Sequence, residues 1–372
     1  MSAAKSVFVT TSAKLGECAA GLAGAPRYYI DTEFDFAGPV KKLCLIQVWS
    51  GTGDLYLIDT IALTALEALG AAIARPDAEW VLHAGDQDVA LLREALRLES
   101  PPRLYDTQVA WGLQGPEYPV SLAYLLYRIL GIRSAKSEQA GPWAARPLTP
   151  EQLEYAAGDV SHLPELRDWL AKRLGDQGRE ALVGEISAET VLREAPPPLS
   201  LDDFRNAWQL DAPGQAVLQH LIGWWNALPA AEQRDGPQPR MFLTLAKVIP
   251  ETGAELAAMR GIFFPWAKRH GDAFTGRLVR VSASASKEGF VPLEPPPYNT
   301  VERIRAEGWI RKAAAEVVVE LGLAPELAFP ERVTRKMVEA VEEKKTNTAA
   351  AEALTGWRER VLRQPFLARG PG

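Results

Sequence analysis

Five side chains in the first 160 positions have types suited to one chemistry. They are Asp31 and Glu33 in YYIDTEF, Asp88 in VLHAGDQDVALL, and Tyr155 with Asp159 in YAAGD. Four carboxylates brought into one pocket repel one another and resist ionising together. Divalent cations relieve that cost and give the cluster a use. The chemistry implied is two-metal phosphodiester hydrolysis, in which two ions about 3.5–4 Å apart assist the attacking and the leaving oxygens.

Local structure must place these groups. Tyr28 to Phe34 is aromatic and β-branched and reads as a strand. Residues two apart on a strand share a face, so Asp31 and Glu33 emerge side by side. Asp88 follows the apolar strand Trp80-Val81-Leu82 and opens a helix expected over Val89 to Leu98. Thr149 reads as an N-cap, with Pro150 at the first helical position and Gln152 completing a capping box. Leu153, Ala156, Ala157, Val160 and Leu163 then form an apolar helical stripe. Tyr155 and Asp159, four apart, share a helix face. Taken singly, each has a plainer reading. Asp86 or Asp88 serves as well to cap a helix, and Tyr155 serves to cover a core. Their joint order on suitable elements is what raises the signal.

With these motifs the chain resembles ribonuclease D, of the DEDD superfamily of 3′→5′ exonucleases, in the subgroup with a tyrosine in the third motif. The resemblance runs over residues 7 to 172. Leu45-Ile46-Gln47 follows the first motif as the second core strand. His83-Ala84-Gly85 precedes the second, and this spacing selects Asp88 over Asp86. Asp106-Thr107-Gln108, Lys136-Ser137-Glu138, Trp143 and Arg146-Pro147-Leu148-Thr149 lead into the third. Two departures stand out. The stretch from Asp35 to Lys42 is slightly short and has Lys41 and Lys42 where relatives carry Arg and Tyr. Gly158 stands where alanine is usual, at a helix cost of up to about 1 kcal/mol.

The resemblance implies an α/β, ribonuclease-H-like domain with a mixed sheet, followed by two all-α HRDC-like domains. It implies that Asp31, Glu33 and Asp159 hold one ion, that Asp31 bridges to a second, and that Asp88 reaches the second through water. Tyr155 would orient the attacking water. Oxygen ligands beside phosphates suit Mg²⁺ or Mn²⁺. Lys41, Lys42, Lys136, Trp143 and Arg146 are the expected substrate-binding residues. His83 and His162 are expected to bond and pack rather than to act as bases. The substrate would be RNA with a single-stranded 3′ end, such as a tRNA precursor, and the product a nucleoside 5′-monophosphate.

The 372 residues exceed one ordinary core. With 47% hydrophobic and 24% charged residues the chain reads as globular. No apolar run is long enough to span a membrane, and the N-terminus lacks the apolar core of a signal peptide. Cys18 and Cys44 match no zinc spacing, and a disulfide is not expected. A cytoplasmic protein without an obligate protein partner is expected. The net charge of −6 includes the acidic cluster. Between Arg260 and Arg280, five basic residues face Asp272 alone, a solvated face or an RNA contact. Prolines 196–198 and the Ser/Ala/Pro stretch from Val281 to Asn299 read as linkers. The expected domains are an exonuclease at 1–194 and HRDC-like modules at 199–282 and 298–372. Pro239-Arg240, Ile249 to Thr252 and Met259 to Ile262 carry the first module; Gly356-Trp357-Arg358 closes the second. Aromatic residues Trp224, Trp225, Phe263, Phe264 and Trp266 read as core in preference to base-stacking platforms. Two other functions fit the pattern. One is a DNA exonuclease of the same superfamily; the other is a non-catalytic RNA-binding scaffold, against which the intact acidic set argues.

Overall fold

The structure is a computed structural model that describes residues 5–37, 40–133, 141–191, 198–204, 206–229, 233, 236–285 and 301–370. Lys136 and most of both expected linkers lie outside these residues. Six strands form one sheet: β1 (Ser6–Val9), β2 (Arg27–Ala37), β3 (Val40–Trp49), β4 (Leu55–Asp59), β5 (Glu79–Leu82) and β6 (Arg103–Asp106). Their order is β1-β4-β3-β2-β5-β6. β1 runs parallel to β4, while β2, β5 and β6 are mutually parallel neighbours in series. β3 and β4 are antiparallel, so the sheet is mixed.

Strand alternation decides which helices cover which face. On β2, Tyr28 and Ile30 enter one core and Tyr29 the other. Helices α1 (Ser12–Leu22), α2 (Glu67–Ile73) and α3 (Asp86–Ala95) cover the Tyr28 side through Leu15, Leu69, Val89 and Leu92. The Tyr29 side is covered by α4 (Thr107–Gly112), α5 (Leu122–Leu125), α6 (Pro150–Ser161), α7 (Leu163–Asp176) and α8 (Glu180–Val191). A π-helical turn, Leu126–Leu130, continues α5.

Several boundaries differ from expectation. Helix α3 starts at Asp86, because Gly85 already serves as its cap. The α6 stripe stops at Ser161; His162 breaks the helix and Leu163-Pro164 starts α7. The capping box at Thr149 and Gln152 is present as expected. Cys18 and Cys44 are both buried and unbridged.

The chain divides into two compact units, one of residues 1–35, 42–193 and 301–372 and the other of 36–41 and 194–300. In the first, helices from residue 301 onward share the Tyr29-side core. Ile310, Val317, Met337, Trp357, Leu362 and Phe366 belong to the same buried cluster as Ala156 and Val160. The second unit holds α9 (Ala212–Ala227), α10 (Phe242–Val248), α11 (Gly253–Ala258) and α12 (Phe264–Ala285) around Phe204, Leu218, Phe242, Leu256 and Phe274. The expected linker from Val281 overlaps α12, which continues to Ala285; residues 286–299 of that linker lie outside the described residues. Trp224 and Trp266 pack on Phe274 at 5.0 and 5.3 Å, as core residues do, whereas Phe263 and Phe264 are exposed. In the first unit, α13 (Val301–Leu321), α14 (Pro325–Ala328), α15 (Glu331–Lys344), α16 (Thr348–Glu352) and α17 (Trp357–Leu367) complete the order. Among the described residues, no helix is long and apolar enough to cross a membrane.

Candidate active site

Asp31 and Glu33 project from β2 on the Tyr29 face, where α6 crosses with Asp159. One carboxylate oxygen from each of Asp31, Glu33 and Asp159 lies within 4.8 Å of the others. Tyr155, one turn earlier on α6, stands close enough to Asp159 for each group to shift the other's pKa. Asp88 arrives from the opposite face of the sheet. It sits in the first turn of α3, buried where Asp86 is exposed, and accepts a hydrogen bond from the Thr32 hydroxyl. Thr32 faces away from Asp31 and Glu33 for the same alternation reason, so it meets Asp88 on that side. Asp88 therefore stands outside the tight trio, yet close enough for its charge to act on Asp31 and Glu33.

The electrostatics record this crowding. Burial, then Asp88, Asp159 and Glu33, push the Asp31 carboxyl well above its ordinary range. Burial, then Asp159 and Asp88, raise Glu33 to about 8. Burial raises Asp88 and Asp159 to about 6 each. The Tyr155 hydroxyl is pushed up by burial and by Asp159, Glu33 and Asp31, so it stays protonated at neutral pH. Raised, converging carboxylates of this kind are relieved by bound cations. The all-oxygen donor set fits Mg²⁺ or Mn²⁺.

Supporting residues that sequence reasoning missed now come into view. Gln47, fully buried on β3, donates to Glu33 at 3.4 Å. Asp106 accepts from the Ala84 and Gly85 amides at 3.1 and 3.0 Å and caps α4 through Gln108. It thereby pins the turn that launches α3, where Ala84 adopts a left-handed φ of 54°. A polar residue inside the apolar run Leu43–Trp49 was the available signal for Gln47. Thr32 gave none, since alternation turns it from the site.

The expected substrate contacts fare differently. Lys41 is half-buried and Lys42 exposed, both near the start of β3. Trp143 is 2% exposed and packs its ring 6.1 Å from that of Tyr155, which leaves it no surface for a substrate. Arg146 is turned inward. It donates to Asp59 at 2.7 and 2.6 Å and to the carbonyls of Trp143, Ala145 and Cys44. Both residues correct the expectation of substrate contact, because their polar or aromatic surfaces are already spent inside the protein. His83 bonds Thr107 and the Val120 carbonyl, each at 2.9 Å. His162 lies 3.6 Å from Glu165 at the α6–α7 break. Both roles are structural, as expected.

Comparison with known proteins agrees with this geometry. A family model described as 3′-5′ exonuclease matches residues 6–175. Ribonuclease D of Gluconacetobacter diazotrophicus is 30% identical over 299 residues, covering 77% of this chain and 74% of that protein. Ribonuclease D of Pseudomonas paraeruginosa is 29% identical over 359 residues, covering 92% and 91%. The crystal structure of Escherichia coli RNase D, described as an exoribonuclease involved in structured RNA processing, aligns with a TM-score of 0.75 at 23% identity over 98% of each chain. With the motifs in order, the acidic trio assembled and relatives matched along most of their length, the chain belongs to the ribonuclease D family of 3′→5′ exoribonucleases.

Proposed function

We propose that this exoribonuclease removes nucleotides one at a time from single-stranded 3′ ends of structured RNA, such as tRNA precursors, and releases nucleoside 5′-monophosphates in the cytoplasm. The observation that carries the reading is the convergence of Asp31, Glu33 and Asp159 within 4.8 Å, beside a protonated Tyr155. Asp31, Glu33 and Asp159 would hold divalent ions, with Asp88 acting through water; Mg²⁺ or Mn²⁺ bound there supplies charge neutralisation at the phosphate and a water of lowered pKa. Tyr155 holds its proton at working pH, so its part is to orient the attacking water by hydrogen bonding, not to abstract a proton. Thr32 and Gln47 fix the rotamers of Asp88 and Glu33, and a site loosened by about 1 Å loses much of its rate. Lys41 and Lys42 are the remaining described candidates for phosphate contact. The HRDC-like module at 199–282 stays part of the proposal as a domain that follows the catalytic one, and the module at 298–372 as a helical segment that shares the catalytic core through its helices from residue 301. Two buried free cysteines fit a reducing compartment.

The test is digestion of 5′-labelled RNA and DNA oligonucleotides of matched sequence with Mg²⁺, Mn²⁺ or EDTA. Stepwise shortening of RNA, abolished by EDTA and by Asp31→Ala, is expected. Equal or faster shortening of DNA would favour the DNA exonuclease. RNA binding with no shortening under any metal would favour the scaffold.

A further inference from the structure

We propose that Arg146, locked onto Asp59, is a positioning residue that sets Tyr155 through Trp143. The inference deepens the nuclease reading above and rests on it. Asp59, at the end of β4, is 2% exposed. It accepts Arg146 Nε and Nη2 through both oxygens, and it also caps the Ile61 and Ala62 amides at 2.9 and 3.2 Å. The remaining guanidinium hydrogens meet the carbonyls of Trp143 at 2.6 Å, Ala145 at 2.8 Å and Cys44 at 2.9 Å. A guanidinium has five N–H donors, and all five are engaged. Arg146 thus ties the segment Trp143–Arg146 to β3 and β4 at once. Asp35 adds a second tie by accepting the Ala144 amide at 2.6 Å.

What this segment presents to the site is the Trp143 ring, tilted 39° against Tyr155. Among the described residues, the buried indole N–H of Trp143 has no hydrogen-bond partner. No polar anchor of its own therefore fixes the ring; its main chain does, through Arg146. Tyr155 in turn meets Asp159. The route runs from Asp59 to Arg146, Trp143 and Tyr155 by direct contact at each step, and it bypasses Asp31 and Glu33. Loss of Arg146 should accordingly alter turnover while leaving metal and substrate affinity in place.

The experiment uses the full chain. R146Q, R146K, D59N, Y155F and R146Q/Y155F are assayed for kcat and KM on a single-stranded oligoribonucleotide. Mn²⁺ binding is followed by calorimetry, folding by circular dichroism. R146Q is expected to lower kcat about 10- to 100-fold with KM within about two-fold. R146K and D59N should fall between R146Q and the unchanged protein, since lysine keeps the charge and loses the fork. R146Q/Y155F should lose no more than Y155F alone. A raised KM with unchanged kcat would return Arg146 to phosphate contact and overturn the proposal. So would losses that multiply in the double variant. Crystal structures of R146Q and the unchanged protein provide the separate readout. Displacement of Trp143 and Tyr155 in R146Q supports positioning even if no protein in the series cleaves RNA, which would sink the nuclease reading alone. Unmoved rings overturn the positioning role whatever the activity.

Discussion

Asp31 is the residue on which the site's cost and use meet. Its charge is opposed by burial and by three carboxylates, so Asp31→Asn should stabilise the metal-free protein while abolishing turnover. A rise in unfolding free energy in EDTA is expected; a fall would mean the cluster is not repulsive. The sign with pH follows. Groups whose folded pKa lies above the unfolded value bind more protons when folded, so stability declines as pH rises through them. For Asp88, Asp159 and Glu33 that window runs from about 4 in the unfolded chain to about 6, 6 and 8 in the folded one. Cations displace these protons. Mn²⁺ should then bind more tightly, and raise the melting temperature more, at pH 8 than at pH 6. Calorimetry at the two values checks it, and equal affinity would remove the acidic trio as ligands. Tyr155→Phe deletes one hydroxyl and should cost about 100-fold in kcat with Mn²⁺ affinity little altered; calorimetry and steady-state rates separate the two.

At the scale of elements, α6 carries both Tyr155 and Asp159, so its first turn matters to chemistry at a distance. The capping box joins Thr149 and Gln152 reciprocally, at 3.2 and 3.0 Å. Thr149→Ala should destabilise by about 1 kcal/mol, measured by urea unfolding. Gly158 offers the opposite experiment. A Cβ added there meets nothing within 4 Å, so close packing is not why glycine stands beside Asp159. Gly158→Ala should gain roughly 0.5–1 kcal/mol with activity retained. The capping box was legible because it depends on residues three apart. The start of α3 was misplaced by three residues, since Gly85, Asp86 and Asp88 all carry plausible capping chemistry and only packing chose among them.

At the scale of the molecule, the last helical segment is fastened to the catalytic core by charge as well as by apolar packing. Arg358 on α17 is 6% exposed. It grips both oxygens of Glu189 on α8 at 2.9 and 2.8 Å and the carbonyls of Ala328 and Leu327 at 2.9 Å each. Burial alone would raise the Glu189 carboxyl, but Arg358 and Arg332 hold it below its ordinary value. This contribution is present at neutral pH and is lost as pH falls through the folded pKa. Arg358→Ala leaves Glu189 with Arg332 and the Trp357 indole N–H, and strips the Ala328 and Leu327 carbonyls of their donor; it should cost about 1–3 kcal/mol. Urea unfolding of the full chain measures it, and a loss under about 1 kcal/mol would place the pair among the weak surface contacts.

Short-range pattern determined the strand face shared by Asp31 and Glu33 and the helix face shared by Tyr155 and Asp159, while the ordered motifs of the family resemblance selected Asp88 over Asp86. Each shared face depends on a period of two or of four within one element. Tertiary structure decided what spans elements. It brought Asp88 in from the far side of the sheet onto Thr32, and drew Arg146 away from solvent onto Asp59. It merged the helices after residue 301 into the catalytic core. No periodicity encodes these pairings, because each joins segments of 56 to 169 residues' separation through the packing of a sheet face.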